Sequence, residues 1–176
     1  MIYDNPINNN SFKMVIPDSK RLKSFKVSLQ DVMLPSFRIP PTNVPTTPMG
    51  LNRGNLAGTT IEHSPLVCRV ILGESFKTYS EIFRWMLEYS NYKTMHGSNL
   101  SSGIYPEYVN IDILDNTKEN ITASLKYHNA WPMEIGDLEM TYIEDGTIRV
   151  SVMVTFEFTS LTMYINGKEI FNMEKP

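Results

Sequence analysis

The sequence predicts a mainly β fold: an antiparallel β-sandwich or barrel, one flanking α-helix, and one long arm that no regular element accounts for. Apolar and polar residues alternate along several separate stretches, the pattern of strands that turn one face to a core. One stretch alone carries apolar residues at helical spacing. A further stretch, from Pro40 to Gly58, is crowded with prolines and glycines. The expected organisation of the 176 residues is an N-terminal extension (1–11), a β domain (12–159) and a C-terminal hairpin extension (160–176).

After a polar start with Asn5, Asn8, Asn9 and Asn10, alternation at Phe12, Met14 and Ile16 and again at Phe25, Val27 and Leu29 predicts two half-buried strands. Pro17-Asp18 supplies turn chemistry for the link between them. Next, Pro35, Pro40, Pro41, Pro45 and Pro48 are followed by Gly50, Gly54 and Gly58, a spacing that an ordinary helix or central strand rejects. Because this arm (40–58) also carries Val44, Met49, Leu51 and Leu56 with little charge, it reads as a segment that packs on a neighbouring chain.

Residues Ile61 to Leu72 read as a strand, broken at its start by Pro65 and then so continuously apolar that both faces are expected to be covered. Thr78 and Glu81 have the spacing of a capping box ahead of Ile82, Trp85, Met86 and Tyr89, which predicts a helix over residues 78–90. The polar stretch Asn91 to Gly103 ends it.

Strand signals then dominate. Val109, Ile111 and Ile113 alternate, as do Ile121, Ala123, Leu125 and Tyr127, with a loop at Asp115 to Asn120 that makes them a hairpin. Asp145-Gly146 marks a second hairpin between Leu138–Ile143 and the long run Thr147–Thr159. Before it, Trp131 reads as a cap on the core and Pro132 as the point where the ladder stops. Asn166-Gly167 predicts a short terminal hairpin. The sum is about seven or eight antiparallel strands and one helix.

Few residues offer chemistry. A net charge of -3 with scattered Lys and Arg gives no basic patch for a nucleic-acid reader. Cys68 is alone and sits in an apolar run, which fits packing rather than reactivity. His63, His96 and His128 lack metal-ligand spacing. Asp112 and Asp115, or Glu134, Asp137 and Glu139, lie near turns and read as solvated acids rather than a catalytic pair. No nucleophile elbow or phosphate-binding glycine loop is present. No segment has the roughly 18 to 20 apolar residues of a membrane span, and the N-terminus does not read as a secretory signal. The expectation is therefore no catalytic residue, no metal and no cofactor. The eleven methionines suit either adaptable contact surfaces or core gap-filling.

Taken in order, several pieces resemble one family. They are Val32-Met33-Leu34-Pro35-Ser36-Phe37-Arg38-Ile39-Pro40 ahead of the arm, Asn55-Leu56-Ala57-Gly58, Pro65-Leu66-Val67, and Tyr79-Ser80-Glu81-Ile82-Phe83-Arg84-Trp85-Met86. Ala130-Trp131-Pro132-Met133-Glu134-Ile135-Gly136-Asp137-Leu138 and a long closing strand complete the set. Together, from Phe12 to Phe158, they resemble the tube proteins of contractile phage tails and the related rings that initiate or complete the tube.

The resemblance implies a β-sandwich or barrel of the phage tail-tube type, assembled as a homohexamer whose inner strands join into one barrel around a lumen. It implies adjacent tube rings and sheath or neck/connector proteins as partners, no membrane, and a place in the virion tail after assembly in the host cytoplasm. DNA would pass through the lumen without sequence-specific binding. The arm becomes an inter-subunit device, and the contact residues expected are Pro41, Val44, Pro45, Met49, Leu51 and Leu56, with Met163 and Ile165 in the terminal hairpin. The Asn-rich start and that hairpin exceed the shortest tube proteins, which favours a tube-completing or tube-initiating ring over the repeated main tube subunit. A monomeric ligand-binding β-barrel and an enzyme on a β-sandwich are the rival readings.

Overall fold

In the computed structural model, which describes residues 6–16, 29–45, 53–91, 96–97, 108–138, 140 and 149–173, alternation settles into two antiparallel sheets around one core. Ahead of the helix come β1 (Phe12–Val15), β2 (Leu29–Met33), β3 (Phe37–Arg38), β4 (Pro41–Pro45), β5 (Arg53–Ala57), β6 (Glu62–His63) and β7 (Leu66–Ile71). The helix α1 (Lys77–Tyr89) is followed by β8 (Ser90–Asn91), β9 (His96–Gly97), β10 (Tyr108–Leu114) and β11 (Ile121–His128). The chain ends with β12 (Trp131–Ile135), β13 (Ser151–Glu157), β14 (Ser160–Ile165) and β15 (Lys168–Asn172). One sheet has the order β1-β10-β11-β14-β15 and the other β12-β13-β7-β2; β3–β6, β4–β5 and β8–β9 are small two-stranded pairs.

The core lies between the two sheets. Val109, Ile111, Leu125, Tyr127 and Leu161 come from the five-stranded sheet, and Leu66, Cys68, Val70, Val152, Val154 and Phe156 from the four-stranded one. Each set occupies alternate positions of its strands, as a half-buried sheet requires. The helix contributes Ile82 and Trp85, and Trp85 lies 5.9 Å from Phe156 ring to ring. The apolar face predicted at Ile82, Trp85, Met86 and Tyr89 is the face turned inward.

Several expectations are corrected. The helix starts one residue early, and Thr78 and Glu81 form no capping box: Phe76 stands at the N-cap with φ 50 and no side-chain cap bond. The left-handed turn at Phe76 places Thr78 already inside the first turn, where its hydroxyl cannot serve as a cap. Strand β7 buries Leu66, Cys68 and Val70 but leaves Arg69 exposed, so one face is covered and not two. Pro132 does not end the ladder; it pairs with Phe156 inside β12, an edge strand with a bulge at Met133. An edge position tolerates the missing N–H that a central strand would not. Of the long run expected over 147–159, residues 147 and 148 lie outside the described residues, and the strand covers Ser151–Glu157 without Arg149, Val150, Phe158 or Thr159.

The Asp115–Asn120 hairpin joins β10 and β11 as expected, and the Asn166-Gly167 turn joins β14 and β15 with φ 50 and 77, the type I′ geometry. The boundary expected at residue 160 falls where the chain passes from the four-stranded to the five-stranded sheet, and β14 is an interior strand paired with β11. The predicted positions Phe25 and Val27, the 17–20 link and the Asp145-Gly146 turn lie outside the described residues.

Candidate assembly surface

The Pro and Gly arm is an antiparallel ribbon rather than an irregular loop: β4 and β5 pair from Pro41↔Ala57 to Pro45↔Arg53. Its base is closed by Gly58, whose N–H donates to the Pro40 carbonyl at 3.1 Å. A Cβ at Gly58 would clash with that same Pro40 oxygen, so the close approach requires glycine. Antiparallel pairs alternate between hydrogen-bonded and open types. With 40/58 hydrogen-bonded, residues 42 and 44 bond across the ribbon, while Pro41, Asn43 and Pro45 turn their backbone groups to the free edge of β4.

The spacing was expected to exclude an ordinary helix or central strand, and β4 is neither: in this two-stranded ribbon Pro41 and Pro45 occupy positions with no ladder N–H to supply. The consequence is an asymmetric ribbon. On the free edge of β4, Asn43 supplies an N–H between two prolines that have none, whereas that of β5 presents Arg53, Asn55 and Ala57.

Of the arm residues expected at a contact, Leu56 is 60% exposed and Val44 half-buried on one ribbon face, and Pro41 lies exposed on the other. Pro45 has its backbone in β4; Met49 and Leu51 lie outside the described residues. In the terminal hairpin Met163 packs against the core cluster, and Ile165 is half-buried at the turn. The arm and the hairpin are therefore at separate places: β4–β5 belongs to neither main sheet, and β14–β15 ends the five-stranded one.

Sequence reasoning missed much of the surrounding apolar surface. Met33, Leu34, Phe37, Ile39 and Ile61 are exposed around the base of the arm, and Ile170 and Phe171 along β15. The signal was available for the first group, since Pro35 and Pro40 cut the run Val32 to Ile39 too short for a core strand. It was absent for Ile170 and Phe171, whose exposure depends on β15 being an outer strand of its sheet. Near the arm's base, Arg38 and Glu62 form an exposed ion pair at 2.7 Å across β3–β6.

The polar face of the five-stranded sheet is a hollow of about 550 Å³ lined by residues such as Asn110, Asp112, Ser124, Lys126 and Tyr164. Its charges are engaged locally. The Asn110 amide donates to the Asp112 carboxylate at 2.6 Å, and the Ser124 hydroxyl lies 2.8 Å from the same oxygen. The Lys126 ammonium sits over the rings of Tyr108 and Tyr164, at 4.9 and 4.6 Å from their centroids.

Several of the remaining reactive groups are packed or bonded within the fold. Burial pushes the Cys68 thiol up to about 12, well out of the thiolate range. The His128 Nε2 lies 2.9 Å from the Thr162 hydroxyl, and the His63 ring stacks on Phe158 at 4.3 Å. Asp115 is exposed; hydrogen bonds from the Asn120 side chain, then the Thr117 hydroxyl, hold its carboxyl down at about 2, and it organises the hairpin loop. Among the described residues no cluster of His, Cys, Asp and Glu could hold a metal ion.

No family model matches the sequence. The chain is 34% identical over 166 residues to the tail tube terminator protein of Enterobacteria phage T4, covering 94% of this chain and 93% of that one. Its fold matches the tube-terminating cap of the anti-feeding prophage with a TM-score of 0.64 and 10% identity, over 94% of this chain and 95% of that chain. It also matches the sheath/tube terminator of the PVC extracellular contractile injection system, with a TM-score of 0.64 and 12% identity over 93% and 99%. The tube-type sandwich, with one helix among the described residues, and the identity along nearly the whole length agree: the chain belongs to the tail tube terminator family.

Proposed function

We propose that this chain is a non-enzymatic ring subunit of the virion tail, assembled in the host cytoplasm as a homohexamer that completes the tail tube. The observation that carries the reading is the surplus of contact surface on a chain whose core is already closed. Among the described residues the outer strands of the five-stranded sheet each have a partner on one side only, the ribbon keeps an open β5 edge, and exposed apolar residues flank both. A monomer gains nothing from such surfaces, whereas a ring buries them.

In this reading the polar hollow of the five-stranded sheet faces the lumen. With Lys126 held between two tyrosines and Asp112 satisfied by its neighbours, the wall offers DNA no array of free cations, so DNA passes without sequence-specific binding. The arm, through Pro41, Val44, Pro45, Met49, Leu51 and Leu56, contacts the adjacent subunit, with Met163 and Ile165 contributing from the terminal hairpin. The last tube ring lies on one side and sheath or neck/connector proteins on the other.

The test is mass measurement and negative-stain microscopy of the purified chain, alone and with tail tube. Discrete rings that cap tubes are expected. Long tubes made of this chain alone would instead favour a main tube subunit, and a chain that stays monomeric even with tube present would overturn the proposal.

A further inference from the structure

We propose that the arm is a rigid tip carried on a hinge, with the pivot at Ile39 on one strand and Thr59-Thr60-Ile61 on the other. This hinge is a property of the single chain and goes beyond the ring reading.

The ribbon has two segments, and each is firmly held. In the base, β3–β6, Phe37 pairs with His63 and Arg38 with Glu62. Just below, Ser64 N–H donates to Ser36 O at 3.0 Å, and Ser36 N–H donates to the Ser64 hydroxyl at 2.9 Å. The Arg38–Glu62 ion pair closes one face of this base. The other face is tied to the core, because the His63 ring stacks at 4.3 Å on the buried Phe158. In the tip, the Pro40–Gly58 contact and the β4–β5 ladder up to Pro45↔Arg53 make a second body, which pairs with neither main sheet.

Between the two bodies the ladder is interrupted. From the 38/62 pair to the 40/58 pair the first strand supplies Ile39 alone, whereas the second supplies Thr59, Thr60 and Ile61. An ordinary bulge sets two residues against one. Three against one leave a gap that no backbone hydrogen bond crosses among the described residues. Packing does not hold it either: Ile39 and Ile61 are 55% and 56% exposed, and Thr59 and Thr60 are exposed beside them. A segment with neither ladder bonds nor burial opens at low cost, and a few such residues absorb a change of direction between two packed bodies.

The surplus on the second strand is two residues. A slip of one would turn every side chain to the opposite face, whereas a slip of two preserves the alternation. Base and tip would therefore form one continuous ladder if the two surplus residues were removed. With them in place, the base stays fixed to the core and the direction of the tip is set by what it meets.

The experiment measures spin-label distances in the full chain, dilute enough to read as a single protomer by light scattering. An Asn55→Cys/Met153→Cys pair reports the tip against the core, and a Phe37→Cys/Met153→Cys pair reports the base. Cys68 is buried and takes no label. The expected result is a tip distribution about twice as wide as that of the base. Deleting Thr59 and Thr60 should narrow the tip distribution to the width of the base and leave the melting temperature unchanged. A wild-type tip distribution no wider than that of the base overturns the hinge, whether or not the deletion variant folds. Breadth that persists in a folded deletion variant overturns the pivot.

Discussion

The molecule carries two hairpins that look alike in outline and differ in what holds them. In β14–β15, the inner strand is part of a sheet: Ser160, Leu161 and Thr162 are buried, and β14 pairs with β11 along its length. In β4–β5, neither strand pairs with the main sheets, and Leu56 points into solvent. The first is fixed by the core and offers one edge outward. The second is fixed by its own ladder and by the close contact of Gly58 with Pro40. Substitutions at the buried positions of β14 should therefore register as loss of fold, and those in the β4–β5 ribbon as loss of assembly from a chain that still folds.

The sharpest way to break this contrast is Leu161→Ala. A side chain only 4% exposed leaves a cavity in the shared core, and global stability should fall by about 3 kcal/mol in urea unfolding. Replacing residues 41–57 by a short Gly-Ser turn between Pro40 and Gly58 should leave the melting temperature nearly unchanged and abolish ring assembly by light scattering. If the melt collapsed instead, the arm would belong to the core and the comparison would be wrong.

Gly167→Ala tests the turn alone. Nothing crowds a Cβ there, so the cost is conformational, roughly 1 kcal/mol for a non-glycine residue at φ 77. A finer test separates the two edges of the ribbon. Asn55→Pro removes an outward N–H from β5 and should weaken assembly, whereas Asn43→Pro on the already blocked β4 edge should assemble like wild type.

The smallest effect concerns acid. Asp115 is held at about 2 against an ordinary 3.8, so the folded state binds its proton less readily than the unfolded chain. Its stabilisation is fully present above about pH 4 and is lost as pH falls through about 2. Asp115→Ala should melt slightly below wild type at neutral pH, and the gap should close near pH 2.

Much of the fold was legible because its signals are local. Alternation at Val109 to Ile113 and Ile121 to Tyr127, the Asn166-Gly167 turn and the apolar stripe of α1 all report on neighbours in sequence. What was illegible depends on partners distant in the chain. Nothing near Leu66 says that β7 lies between β13 and β2, and Pro132 reads as a terminator until its strand is known to be an edge. The arm was found by composition but misread in shape. Whether a proline breaks a strand depends on which way its nitrogen faces, and only the register of Pro41 and Pro45 against Ala57 and Arg53 decides that. The exposed apolar surface was half legible: Leu56 stood out among prolines, whereas the exposure of Ile170 and Phe171 follows from β15 being an outer strand of its sheet, which nothing local reports.

The two prolines of β4 also fix the arm's valence. A ribbon with two open edges is bivalent: it can accept a strand on one side and pass the template on through the other, which is how edge-to-edge growth propagates. With Pro41 and Pro45 set on one rim, this ribbon has a single coordination site, and a chain of such pairings stops at the first link.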